Sequence, residues 1–202
     1  NAQNLLVMTG DYPDAGLLGQ GKPVFDLDPV HTLHLIETMN HSQDTEVFFA
    51  GAVVSPFKKT EGEVMSQYYK LKKKIASGAK FVISQLGYDA RKWDELRRYM
   101  NLYHPTIPLI GNVYVLSTPA AKIMNQNRIP GCVVTDQLVK TLKEDDTRYT
   151  TKKEGYLLRA AKLYALLKGL QYDGVNIGGH GLQYADIQYI IEKGEELSHT
   201  WQ

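Results

Sequence analysis

The sequence predicts an α/β protein built on a parallel sheet with helices outside it. Two observations carry this. Five short apolar runs, at Leu5–Met8, Val47–Val54, Phe81–Ser84, Ile107–Val115 and Gly174–Ile177, are each followed by a stretch with helical spacing of apolar residues. Each run also breaks into glycine, polar or charged residues at its C-terminal end, where α/β proteins place ligands. Strand–helix alternation demands crossover connections, and these make the strands parallel. The pattern alone does not choose between an open sheet and a barrel.

The first run, Leu5-Leu6-Val7-Met8, ends in Thr9-Gly10-Asp11 and a long Gly/Pro/Asp loop, in which Gly16 to Gly21 forms a candidate cover. Pro29 stands at a favoured first helical position, and Val30, Leu33, His34 and Ile36 form one stripe to about Met39. The second run ends in Ser55-Pro56-Phe57-Lys58-Lys59-Thr60. A helix over 62–77 follows with Val64, Tyr68, Leu71 and Ile75 inward, and Gly78 stops it. After the third run and Gln85, a helix over 90–102 turns Trp93, Leu96 and Met100 inward. The fourth run is interrupted by Gly111-Asn112. Thr118 then caps a short helix with Pro119 first in it, Asp136 caps another to Leu142, and 144–153 is a polar link. A helix over 155–167 buries Leu157, Ala161, Leu163, Tyr164 and Leu167. The fifth run ends in Gly178-Gly179-His180, and a last helix starts near Tyr184.

The chain of 202 residues, 43% hydrophobic and 22% charged, is read as one domain over 1–202 with one core. Its 23 basic and 22 acidic residues argue against a nucleic-acid or anionic-membrane partner recognised by bulk charge. The single cysteine, Cys132, excludes an internal disulfide, and no uninterrupted apolar stretch is long enough for a membrane helix; a cytoplasmic location is expected. The strand ends offer one acid, amides, hydroxyls and glycines and no metal-ligand cluster. That set suits a heterocycle held by hydrogen bonds.

The segments LLVMTGDYP, VFDLDPVHTL, LKKKIASGAKFVISQLGYDA, PLIGNVYV and NRIPG, in this order, are similar to methylenetetrahydrofolate reductases. The resemblance implies a (β/α)8 barrel represented here by its last five units. It implies FAD at the strand ends, NAD(P)H as reductant and tetrahydrofolate as substrate, with 5,10-methylenetetrahydrofolate reduced to 5-methyltetrahydrofolate. It also implies that a longer chain or a partner chain supplies what five units lack, and a homo-oligomer is expected because members of the family are often oligomeric.

Residue by residue, the resemblance implies a catalytic role for Asp11, a carboxylate near the flavin and the pterin, against the plainer reading of a turn residue. Gln85 matches a folate-contacting glutamine, since an amide donates and accepts at once; the competing reading is a glutamine satisfied by backbone. Asn112 and Tyr114 join it as substrate contacts. Thr9, Gly10, Asp28, Lys58 and Lys74 are the expected flavin contacts, with helix capping the rival role for Asp28 and a solvated helix face the rival for Lys74. Val54-Ser55, Lys58, Gln67 and Lys70 depart from the family pattern after the second strand. That departure keeps open a flavin-free folate-binding or methyl-transferring module, and the barrel units that the resemblance implies are missing keep open a non-catalytic subunit that completes a partner barrel. His180 is more plausibly a polar tail than a catalyst, and Cys132 a small buried group.

Overall fold

A computed structural model of the chain describes residues 3–9, 26–42, 47–129 and 131–200. Five strands, β1 (Asn4–Val7), β2 (Phe49–Val54), β3 (Phe81–Ser84), β4 (Leu109–Tyr114) and β5 (Gly174–Gly178), pair in parallel in the order β1-β2-β3-β4-β5. Neighbours in space are neighbours in sequence. Crossovers of one hand then put every helix on the same side, and the sheet curls into a half-barrel with an outer helical layer and an open inner face.

The register assigns side chains to the two faces. Val7, Ala52, Val82, Leu109 and Val113 point outward into the buried layer beneath the helices. Their alternates point inward: Leu6, Phe49, Gly51, Phe81, Ile110, Asn112 and Asn176. Leu6 is 39% exposed and Phe49 44%. Phe49 and Phe81 stack at 5.5 Å, and the Phe81 ring fills the space a side chain at Gly51 would take. On the other face, a Cβ at Gly111 would meet Leu167 at 2.5 Å. Gly111 and Asn112 therefore do not interrupt β4: glycine is there so that a helix can lie against the strand.

Among the described residues there are seven helices, six between strands and one after β5: α1 (Pro29–Ser42), α2 (Glu61–Ala76), α3 (Ala90–Tyr103), α4 (Thr118–Asn125), α5 (Asp136–Arg148), α6 (Lys152–Gly169) and α7 (Tyr184–Thr200). Thr60 and Glu63 form a reciprocal capping box at the start of α2. The main core lies between the sheet and α2, α3, α6 and α7, centred on fully buried Trp93, Leu71, Leu96 and Ile190. Asp173 closes the sheet at the start of β5: its Oδ2 accepts from Leu109 N at 2.8 Å and from Arg97 at 2.9 Å.

Several element ends differ from the sequence reading. β2 starts at Phe49, not Val47, because Asn40 Oδ1 accepts the N–H groups of both Val47 and Phe48 and holds them out of the ladder. Ser117, not Thr118, caps α4, since the Thr118 hydroxyl is buried against Tyr156. Thr135, not Asp136, caps α5, and Asp136 instead accepts from Asn125. The polar stretch from Glu144 stays helical to Arg148 because Asp145, in phase with Val139 and Leu142, is buried against Arg159. His34 is exposed on α1, whose buried row is Pro29, Leu33, Ile36 and Asn40.

Candidate functional site

α4 and α5 lie within the connection from β4 to α6, where the parallel order places them beyond the C-terminal strand ends. They pack on each other around Leu116, Ala121, Met124, Cys132, Val134 and Leu142, and Leu86, Tyr88 and Tyr114 join this second cluster. The segment between them approaches Gln85: a side chain at Gly131 would sit 3.3 Å from Gln85 Nε2. Gly131 has φ +76°, which suits glycine, so its identity both permits the turn and leaves the amide its space.

Gln85 follows β3 and is half-buried. Its Oε1 accepts from Leu86 N at 2.9 Å, so the backbone-satisfied reading holds for the oxygen. That bond orients the amide, while Oε1 keeps a second lone pair and Nε2 remains the donor end. Asn112 lies directly beside Asn176 across the β4–β5 pairing, on the inner face. The sequence reading missed Asn176; strand alternation applied to β5 would have found it. Tyr114 packs against the α4–α5 cluster, beside Gly178.

Among the expected flavin contacts, Thr9 is exposed just beyond β1. Asp28 caps α1, accepting from Val30 N at 2.8 Å and His31 N at 2.9 Å. These bonds, the one from His31 foremost, hold its carboxyl below the usual range. Lys74 is no solvated helix residue. It is 8% exposed, and its Nζ donates to Val53 O at 2.6 Å. Burial, aided by Lys70 and opposed by Asp28, pushes its pKa down to about 8. Among the described residues no carboxylate pairs with it. Lys58 lies elsewhere, on the wall of a cleft with Tyr88 and Leu138. Gly10, Asp11 and the candidate cover at Gly16 to Gly21 lie outside the described residues. Ser84, which ends β3, points outward with Val82 and accepts from Asn112 N at 3.2 Å, so it is a sheet brace. Phe57 is buried edge-on against Trp93, and His180 is exposed.

Among the described residues the buried Tyr88 hydroxyl has no hydrogen-bond partner, and burial raises its pKa. Tyr88→Phe removes an unsatisfied group without opening a cavity. The variant should be as stable as the wild type or more stable by up to about 1 kcal/mol. A loss of that size in a melting curve would reveal a partner and sink the assignment.

The fold is a parallel α/β half-barrel whose inner face carries Asn112 and Asn176, with Gln85 just beyond the end of β3. The methylenetetrahydrofolate reductase family matches residues 2–168, and the chain belongs to that family. A solved structure of an uncharacterized protein from Clostridium thermocellum, which binds two copies of 5-methyl-5,6,7,8-tetrahydrofolic acid, is similar in fold, with a TM-score of 0.50 and 17% identity. The match covers 82% of this chain and 59% of that one. No curated protein sequence matches. Among the described residues, no helix is long and apolar enough to cross a membrane, and no group of three or more His, Cys, Asp or Glu is placed to hold a metal ion.

Proposed function

We propose that this chain binds a reduced folate on the C-terminal end of its inner face and takes part in the flavin-dependent reduction of 5,10-methylenetetrahydrofolate to 5-methyltetrahydrofolate with NAD(P)H. The observation that carries the reading is Gln85, oriented by Leu86 N and given room by Gly131, on the same sheet as the inward Asn112–Asn176 pair. A pterin presents alternating donors and acceptors along one edge, and amides are the neutral side chains that answer both. Family membership and the folate-binding neighbour support the same substrate.

The residues present fit a flavin diphosphate at one point above all. Lys74 is a buried ammonium with a single carbonyl acceptor, and an anionic group would complete its shell. In this reading Lys74 turns toward the diphosphate, Thr9 and Gly10 line the ring, and Asp28 stands near the ribityl or adenosine portion. The flavin, when bound, supplies the hydride-carrying chemistry. Asp11 orients the folate by charge and hydrogen bonding, and Gln85 fixes the pterin edge. We place the chain in the cytoplasm, within a homo-oligomer or a larger chain or complex.

The test is a visible absorption spectrum with and without added FAD, followed by titration with 5-methyltetrahydrofolate. Bound FAD that bleaches with NAD(P)H supports the reductase. Folate binding with no flavin uptake moves the assignment to a flavin-free folate-binding or methyl-transferring module, a reading that the Lys74–Val53 bond favours. Neither flavin nor folate binding leaves a subunit that completes a partner barrel. Gln85→Ala should weaken folate binding about tenfold. Asp11→Ala should impair folate reduction far more than flavin retention; equal loss of both would make Asp11 structural.

A further inference from the structure

α5 and α6 follow one another in the chain, joined through Tyr149 to Thr151, and pack on each other. A cavity of about 220 Å³ opens between them, lined by Asp145, Arg148 and Tyr149 on one side and by Gly155, Arg159 and Lys162 on the other. The Tyr149 ring fills the space that a side chain at Gly155 would take, 2.7 Å from that Cβ, so this corner closes only over glycine. Three cations against one carboxylate leave two positive charges of the lining unbalanced. The carboxylate of buried Asp145 is taken by Arg159. Arg159 keeps donors to spare: its buried Nε has no hydrogen-bond partner among the described residues. Arg148 and Lys162 are exposed and pair with no acid among the described residues. Arg159 and Lys162 also stand one turn apart on the same side of α6, where like charges repel.

A role in neutralising a helix end accounts for Arg148, in the last turn of α5, but not for Lys162, which lies midway along α6. What the three cations share is the cavity. Sites for whole drug-sized ligands start at about 300 Å³, so this one suits a small group. Guanidinium forks match phosphoryl oxygens, an ammonium adds a point charge, and a phosphoryl dianion carries the charge that the lining lacks. We propose that the α5–α6 cavity binds a phosphoryl dianion, as free phosphate or as the phosphate of a small monoester, held by Arg148, Arg159 and Lys162. The cavity shares no residue with the candidate folate surface or with Lys74, so the assignment is independent of the folate reading.

The experiment is calorimetric titration of the whole chain, at constant ionic strength, with inorganic phosphate, with glycerol 3-phosphate and with succinate. The proteins are wild type, the double variant Arg148→Ala/Lys162→Ala and Lys74→Met. Both residues of the double variant are exposed, and a melting curve checks that each protein folds. Wild type should bind phosphate with a Kd of about 1 mM or below. The double variant should lose about tenfold or more, while Lys74→Met binds phosphate as wild type does. Phosphate binding as tightly as the ester makes free phosphate the ligand, and tighter binding of the ester makes it a monoester; either result supports the site. If the double variant binds phosphate within about twofold of wild type, or if Lys74→Met loses the binding that the double variant keeps, the anion lies elsewhere and the proposal falls. It falls too if wild type shows no binding at about 10 mM phosphate. Succinate held as tightly as phosphate would overturn the phosphoryl assignment.

Discussion

Replacing Trp93 by alanine should cost about 3–5 kcal/mol of folding stability, the usual loss for a large aromatic removed from a core. Trp93 is fully buried, edge-on to Phe57 at 4.8 Å and to Tyr172 at 5.6 Å. Those partners belong to the β2–α2 loop and to the turn before β5, so one indole joins segments far apart in the chain. Two features limit the loss. Among the described residues the indole N–H has no hydrogen-bond partner, so its removal strands nothing there, and the Tyr172 hydroxyl donates to the backbone oxygen of Trp93, which alanine keeps. Against a typical total of about 5–15 kcal/mol the change is large, and the thermal midpoint should fall by roughly 10 °C. A urea titration showing a loss below about 1 kcal/mol would mean that the core rearranges around the site.

Lys74→Met should show a stability difference from wild type that changes with pH. With its folded pKa pushed from 10.5 to about 8, Lys74 binds its proton less tightly in the folded state than in the unfolded one. Below pH 8 both states carry the charge and folding bears the full desolvation penalty. Between about 8 and 10.5 the folded state has released the proton while the unfolded state still holds it, so stability rises with pH; above 10.5 the penalty is gone. Screening by solvent brings the effect to on the order of 2 kcal/mol. Methionine has no such charge but leaves Val53 O without its donor. The two proteins should therefore be closest in stability near pH 7, and wild type should gain on the variant by about 2 kcal/mol towards pH 10. A pH-independent difference in denaturant midpoints would show that Lys74 is solvated. An anionic ligand that pairs with Lys74 should bind more weakly as pH rises through 8.

The alternation of strands and helices was legible because each strand leaves a short, largely apolar run on both of its faces, and an outer helix leaves a stripe at helical spacing. Trp93, Leu96 and Met100 form such a stripe on α3, and all three are buried. What escaped the reading was set by contacts between distant residues. Nothing near Val47 announces that Asn40 will take its N–H, and nothing near Asp145 announces that Arg159 will keep a polar stretch helical. Of the candidate site, the place of Gln85 directly beyond the end of β3 was legible. Asn176 was missed although it is the one polar side chain of β5, because its pairing with Asn112 across the sheet, which makes it part of the candidate site, appears only in the register. Lys74 was ambiguous for a related reason: a run of four basic residues around one apolar residue does not say which of them turns inward.

Gly51 and Gly111 give the sheet a pair of independent probes. The space beside Gly51 is filled from within the half-barrel by Phe81, and the space beside Gly111 from the helical layer by Leu167. Enlarging residue 51 presses on the hollow where a ligand or further strands would lie, whereas enlarging residue 111 pushes α6 away from the sheet. The two layers can thus be perturbed separately from inside the same set of strands, and loss of binding told apart from loss of folding.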